Sequence, residues 1–288
     1  MKLTKKVIAL ISVILITASL FFMTSCGKKK QITIAIPNDT TNEARALLML
    51  QDLGYIKLKK GADITATVRD VESNPYNIKF NEVEAAQIPN VRKDVDFAII
   101  NSNFAIAKNI NPSKDALALE SKSSAYANIL AVKQGRENDP LILALKAALQ
   151  SKEVSDFIKE KYSGAVLSTV DKPGSGFDEN VNYNALAGKT ITVAASPAPH
   201  AEILAIAKAV LVKKSIKLEI KEYTDYIIPN KVVEDATVDA NYFQHLPYLK
   251  DFNEKNNTHL VSVGAIHVEP LGIYGGKQSS LDVIKKAK

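Results

Sequence analysis

The chain has 288 residues, 46% hydrophobic and 24% charged, with a formal net charge of +6, one cysteine and no tryptophan. That balance excludes a disordered chain, a collagen and a disulfide framework. The length suits two globular units, each large enough to bury a core.

The N-terminus departs in composition from everything after it. Lys2, Lys5 and Lys6 precede an uncharged apolar run over 7–22, which ends in Met23-Thr24-Ser25-Cys26. The run is shorter than the roughly 20 apolar residues of a membrane span, and a solitary exposed thiol has little use in an exported protein. The segment resembles a bacterial lipoprotein signal over 1–25, with Cys26 as the acylated first residue of the mature chain and Met23 in place of the usual Leu. An uncleaved signal anchor is the alternative; either places the body at an outer membrane face. Residues 1–25 carry three lysines and no acid, so 34 basic side chains remain against 31 acidic ones. The excess positive charge is therefore partly a leader effect and gives no argument for nucleic-acid binding.

From Gln31 onward, β-branched runs alternate with amphipathic stretches, which predicts α/β layers with a largely parallel sheet. The first strand is expected over 32–36. Thr40-x-x-Glu43 reads as a capping box for a helix reaching Gly54. Strands are expected over 64–68, 78–82 and 95–100, with a helix from Val83 to near Pro89. A strand over 129–132 follows. Asp139-Pro140 opens a helix to Leu149, and Ser151 restarts one to Tyr162. Residues 167–184 have turn residues and no apolar period, and read as a linker. Beyond it, strands are expected over 190–194, 218–223 and 240–243, and extended pieces over 260–263 and 267–274. Helices are expected over 200–213, 230–234 and 247–255, with a last one opening at Ser280-Leu281-Asp282.

The chemical inventory points away from an enzyme. The sequence has no dinucleotide-binding glycine motif, Walker loop, Gly-x-Ser-x-Gly or His-Glu-x-x-His. Of its four histidines, two lie near acids as His200-x-Glu202 and His267-x-Glu269, so a metal-binding lipoprotein stays open on counting. Such pairs at element ends serve hydrogen bonds more often than metals, and neither a metal nor a cofactor is expected. Side chains do gather at strand ends and helix starts, where α/β sheets place ligands. Arg45 lies in the helix after the first strand, Asn101 and Asn103 follow the strand ending at Ile100, Tyr226 lies just past the strand over 218–223, and Tyr242, Phe243 and His245 follow Asp239. A guanidinium fork, two amides and an aromatic box would suit a free amino acid.

The stretches Ile36-Pro37-Asn38-Asp39 with Asn42-Glu43-Ala44-Arg45, Asn241-Tyr242-Phe243-Gln244-His245 with Pro247-Tyr248-Leu249, and His267-Val268-Glu269-Pro270 resemble the MetQ/NlpA family of methionine-binding lipoproteins. So do Ser124-Ala125-Tyr126-Ala127-Asn128 and Pro199-His200-Ala201-Glu202. The order of the segments does not: the stretch resembling 190–274 comes first in that family, so the chain resembles a circular permutant whose segment 166–187 joins the family's usual termini. The resemblance implies a two-lobed fold of the periplasmic-binding-protein type, each lobe a mixed, mainly parallel sheet flanked by helices. One lobe would be 31–126 plus 268–288 and the other 127–267. It implies L-methionine as ligand, with Arg45 gripping the carboxylate bidentately, Asn101 and Asn103 on the amino and carboxylate groups, and Tyr226, Phe243 and His245 around the thioether. Implied partners are the permease and ATPase subunits of an ABC importer and, through the N-terminal lipid at Cys26, the membrane. The alternatives are a methionine-containing dipeptide or another apolar amino acid, a surface lipoprotein acting by protein contact, and a metal receptor.

Overall fold

The computed structural model of the chain describes residues 31–121 and 124–287, so Cys26 and the leader expected over 1–25 lie outside it. In chain order the strands are β1 (Ile32–Pro37), β2 (Lys57–Leu58), β3 (Val71–Ser73), β4 (Ile78–Val83), β5 (Phe97–Ile100), β6 (Ala116–Leu119), β7 (Ala127–Lys133), β8 (Leu167–Ser168), β9 (Thr190–Ala195), β10 (Lys217–Glu222), β11 (Ala240–His245), β12 (Leu260–Val268) and β13 (Gly272–Gly275). The helices are α1 (Thr40–Asp52), α2 (Ile88–Val91), α3 (Ser102–Ala107), α4 (Pro112–Asp115), α5 (Pro140–Leu149), α6 (Lys152–Tyr162), α7 (Glu202–Val212), α8 (Ile228–Glu234), α9 (Leu246–Asn256) and α10 (Asp282–Lys286).

Two mixed sheets organise these elements. One runs β4-β1-β5-β13-β6, the other β10-β9-β11-β7-β12-β8. In each, three neighbours pair in parallel, β4-β1-β5 and β10-β9-β11, and antiparallel strands complete the sheet. The inner strands β1, β5, β9 and β11 are buried along most of their length, whereas the edge strands β4 and β10 are largely open. Separate apolar clusters back the two sheets: Ile34, Leu47, Leu50 and Ile273 in the first, Leu130, Ile142, Leu145, Val193 and Leu204 in the second. Among the described residues no helix is long and apolar enough to cross a membrane.

Local chemistry explains where the helices begin. Asp139 accepts from the Leu141 N–H at 2.9 Å and Ser151 from the Val154 N–H at 3.2 Å, so both expected caps form. The expected capping box on Thr40 does not. Asp39 caps α1 instead, accepting from the Asn42 N–H at 3.1 Å, and the Glu43 carboxylate turns away to accept from the Val68 N–H at 2.8 Å.

Other expectations differ from the structure for physical reasons. Residues 64–68 form turns in place of a strand, because Asp63 accepts from the Thr65 N–H and Asp70 from the Thr67 N–H, both at 3.0 Å. Such side-chain to backbone bonds compete with a ladder. The helix expected from Val83 is broken: Val83 ends β4, Ala85–Gln87 is a 3-10 turn, and α2 begins only at Ile88, its first turn tolerating Pro89 since that position needs no N–H. The two extended pieces at 260–263 and 267–274 are one strand, β12, then β13. Residues 166–187 are packed as well as connecting: β8 pairs with β12, and Val181 and Leu186 join the apolar cluster behind the second sheet.

Candidate functional site

A cavity with about 350 Å³ of empty volume, opening included, lies where the strand ends of the two sheets meet. From the elements of the first sheet come Asn42 and Arg45 of α1, Asn101 after β5, and Ser102 and Asn103 at the start of α3. From those of the second come Asn128 of β7, Phe243 to His245 of β11, Tyr248 of α9, and Tyr226 before α8. Glu269 lies where β12 crosses toward β13. All six residues expected to bind ligand, Arg45, Asn101, Asn103, Tyr226, Phe243 and His245, line this one space.

Arg45 departs from its expected geometry. Its Nε donates to both Glu120 carboxylate oxygens, at 2.7 and 2.9 Å, and its Nη2 donates to Glu120 and to the Glu269 backbone carbonyl, the latter at 2.8 Å. Tyr126 stacks beneath the guanidinium, with 4.4 Å from Cζ to the ring centroid. A guanidinium that is only 4% exposed needs a counter-charge, and Glu120 supplies it by taking the bidentate edge. No hydrogen bond among the described residues uses Nη1, so a ligand carboxylate has one nitrogen to meet and not the fork.

The amides are oriented by a chain of obligate partners. The Asp39 carboxylate accepts from Asn42 Nδ2 at 2.8 Å. That turns Asn42 Oδ1 toward Asn101, whose Nδ2 donates to it at 2.8 Å. Asn101 Oδ1 is then left buried with no hydrogen-bond partner. A buried acceptor without a donor costs about 1–3 kcal/mol, which a donor on a ligand would recover. Asn103 accepts from the Tyr226 hydroxyl at 2.7 Å, bridging the elements of the two sheets, and its backbone N–H favours the charged form of Glu269.

Opposite these polar groups stands an aromatic wall. Tyr226 packs against Phe104, Phe243 and Tyr248 with ring centroids 4.8, 5.8 and 5.7 Å apart, and His245 meets the edge of Tyr126 at 5.2 Å. Tyr248 donates its hydroxyl to the Tyr226 carbonyl at 3.0 Å, fixing the loop. Burial, reinforced by Arg45, pushes the His245 pKa down to about 3, so the ring is neutral and its Nδ1 accepts from the Tyr248 N–H at 3.2 Å as the cap of α9. Burial raises the Tyr226 hydroxyl well above its ordinary value and keeps it a donor. Tyr242 is fully buried and bonds to His267, outside the wall.

Sequence reasoning missed the roles of Asn42, Glu120, Tyr248 and Glu269. Asn42 and Tyr248 each sit three residues from a cap, a spacing that points their side chains or N–H groups back toward the strand end. Glu120 meets Arg45 across 75 residues of chain, and no local pattern announces it.

Residues 28–170 and 191–288 match the protein family described as NlpA lipoprotein. The membrane lipoprotein TpN32 of Treponema pallidum (strain Nichols) is 46% identical over 135 residues, 47% of this chain and 50% of its own length. The methionine-binding lipoprotein MetQ of Bacillus subtilis (strain 168) is 42% identical over 139 residues, 47% of this chain and 51% of that one. A solved structure of a nutrient binding protein from Burkholderia cenocepacia bound to methionine is 48% identical over 48% of this chain and 59% of that chain, with a TM-score of 0.45. The chain spans about half the length of the curated relatives it matches.

Proposed function

Because the chain belongs to the NlpA lipoprotein family, we propose that it is an extracytoplasmic solute-binding lipoprotein that captures L-methionine between its two sheets and delivers it to an ABC importer. The observation that carries the ligand is the unpartnered Asn101 Oδ1, buried in a cavity with a guanidinium on the same side and aromatic rings opposite. An α-ammonium group satisfies that acceptor, and Arg45 Nη1 meets the carboxylate. Tyr226, Phe243 and Tyr248 surround the side chain, where a thioether gains sulfur-to-ring contacts of about 0.3–1.5 kcal/mol. The name of the Bacillus subtilis relative supports the same ligand. In this reading Cys26 carries the lipid that holds the protein at the membrane, and the permease and ATPase subunits are separate chains.

The arrangement of segments is read as a circular permutation of the family. The family match is interrupted between residues 170 and 191, the stretch that would join the usual termini.

The test is calorimetric titration of protein unfolded, stripped of ligand and refolded, using L-methionine, other apolar amino acids and a methionine-containing dipeptide. Saturable heat at one equivalent of methionine, with leucine and alanine at least tenfold weaker, supports the proposal. Absence of methionine heat from refolded protein of native circular dichroism overturns it.

A further inference from the structure

Beside the amino-acid cavity lies a cluster that the methionine reading does not use. His200, in the turn before α7, His267 of β12 and Glu269 are 1%, 0% and 6% exposed. One ligating atom from each lies within 4.8 Å of the others. His267 Nε2 is 2.7 Å and His200 Nε2 is 3.3 Å from the same oxygen, Glu269 Oε1.

Counting protons shows that this arrangement is incomplete. Asn128 Oδ1, an amide oxygen that only accepts, lies 2.9 Å from His200 Nε2, so that nitrogen carries the hydrogen. His267 Nδ1 meets the Tyr242 hydroxyl, whereas His200 Nδ1 is left buried with no partner. The nearby cation Arg45 is paired with Glu120 and reaches only the Glu269 backbone. The side-chain oxygen Glu269 Oε1 thus faces two buried imidazole nitrogens.

We propose that His200, His267 and Glu269 form a site for a divalent transition metal of the zinc class, two imidazole nitrogens and one carboxylate oxygen converging on the ion. Imidazole and carboxylate together suit such ions, and tetrahedral bonds of about 2.0–2.1 Å put neighbouring ligand atoms about 3.3 Å apart. The His200–Glu269 spacing already has that value. Metal at both Nε2 atoms moves the ring protons to Nδ1, where the Tyr242 oxygen is the outer partner for His267. Asn128 Oδ1, 2.9 Å from His200 Nε2, is the oxygen placed to take a fourth position, and Glu269 joins this site to the amino-acid cavity.

The experiment titrates Co²⁺, then Zn²⁺, into the full chain after chelator treatment, without methionine, so its result is independent of the amino-acid reading. The expected result is one equivalent with the intense visible bands of tetrahedral cobalt, and without the near-ultraviolet thiolate band that coordination by Cys26 would add. His200→Gln and His267→Gln each weaken binding at least tenfold. His259→Gln, which alters the exposed histidine beside Glu234, leaves it unchanged. Should the buried variants fail to fold, imidazole NMR of the unaltered protein decides, with Zn²⁺ shifting His200 and His267 and sparing His245 and His259. Octahedral cobalt, a response confined to His259, or binding undiminished in both folded buried variants overturns the proposal.

Discussion

Arg45 carries two duties whose consequences separate by mutation. Its bidentate partner Glu120 is 12% exposed, so Arg45→Ala strands a mostly buried carboxylate as well as emptying one wall of the cavity. Breaking such a pair costs about 3–5 kcal/mol, whereas replacing both members by neutral groups of similar volume is often neutral. Arg45→Ala is therefore expected to lower the denaturation midpoint strongly and abolish methionine binding. Arg45→Met with Glu120→Gln restores most of the stability and none of the binding. Denaturant melts paired with calorimetry separate the two effects, and an unchanged midpoint in Arg45→Ala would remove the ion pair from the account. His245 gives the pH counterpart. Its folded pKa of about 3 lies below the ordinary value of 6.5, so between these limits the unfolded chain binds a proton that the folded chain does not. Stability from this group is present above pH 6.5 and drains away as pH falls toward 3, at up to about 1.4 kcal/mol per pH unit. His245→Asn keeps an N-cap oxygen and cannot titrate, so its acid limb should be shallower by that slope in melts taken from pH 7 to 4.

Elements that announce themselves by local chemistry were legible before any coordinates. Asp139-Pro140 and Ser151 cap helices where their side chains alone require it, and the strand runs at 32–36 and 190–194 carry their β-branched residues on the page. That the six residues expected to bind ligand would line one cavity was legible for a related reason, because ligands in layered α/β folds gather at strand ends. What stayed hidden depends on partners distant in sequence or on elements too short to show a period. Residues 64–68 look like a strand until Asp63 and Asp70 take their N–H groups, and the six residues of α3 are fewer than two turns. Asn101 Oδ1 becomes an orphan only through Asp39 and Asn42, a chain of contacts that spacing does not reveal. The segment 166–187 is the clearest case. The Gly174 carbonyl accepts from the Lys152 N–H at 2.9 Å, and its N–H donates to Gln150 at 3.1 Å, pinning the segment to the start of α6. Gly176 has φ +86, and a Cβ there would lie 2.6 Å from Val210 Cγ1 of α7. Left-handed backbone costs a side chain about 1–2 kcal/mol, and overpacking typically adds about 1–3. Gly176→Ala is thus expected to lower the denaturation midpoint while leaving methionine affinity within twofold; an unaffected midpoint would mean that the segment does not pack on α7.

At the scale of the molecule, two cores and the cleft between them depend on which elements touch, not on the order in which the chain visits them. The described chain starts and finishes on one core: Ile32, opening β1, and Ala287, following α10, belong to the same apolar cluster. The exposed residues Lys172 and Pro173 lie in the segment where the family match is interrupted. A chain reopened between them, with 287 joined to 31 by a short glycine-serine linker, keeps every strand pairing in both sheets and every lining residue of the cavity. Its cost is confined to loop closure, which grows only by about 0.6 kcal/mol for each doubling of loop length, and to fraying beside Gly174. Methionine affinity of this reordered chain should stay within tenfold, a window of about 1.4 kcal/mol, with a modestly lower melting temperature. The contacts that span the sheets, Tyr226 to Asn103 and Lys255 to Thr40, survive the change because both partners of each stay on their own elements. A reordered chain that folds with native circular dichroism yet loses methionine would show that connectivity holds the cleft in register. Retained binding would show that packing alone does so.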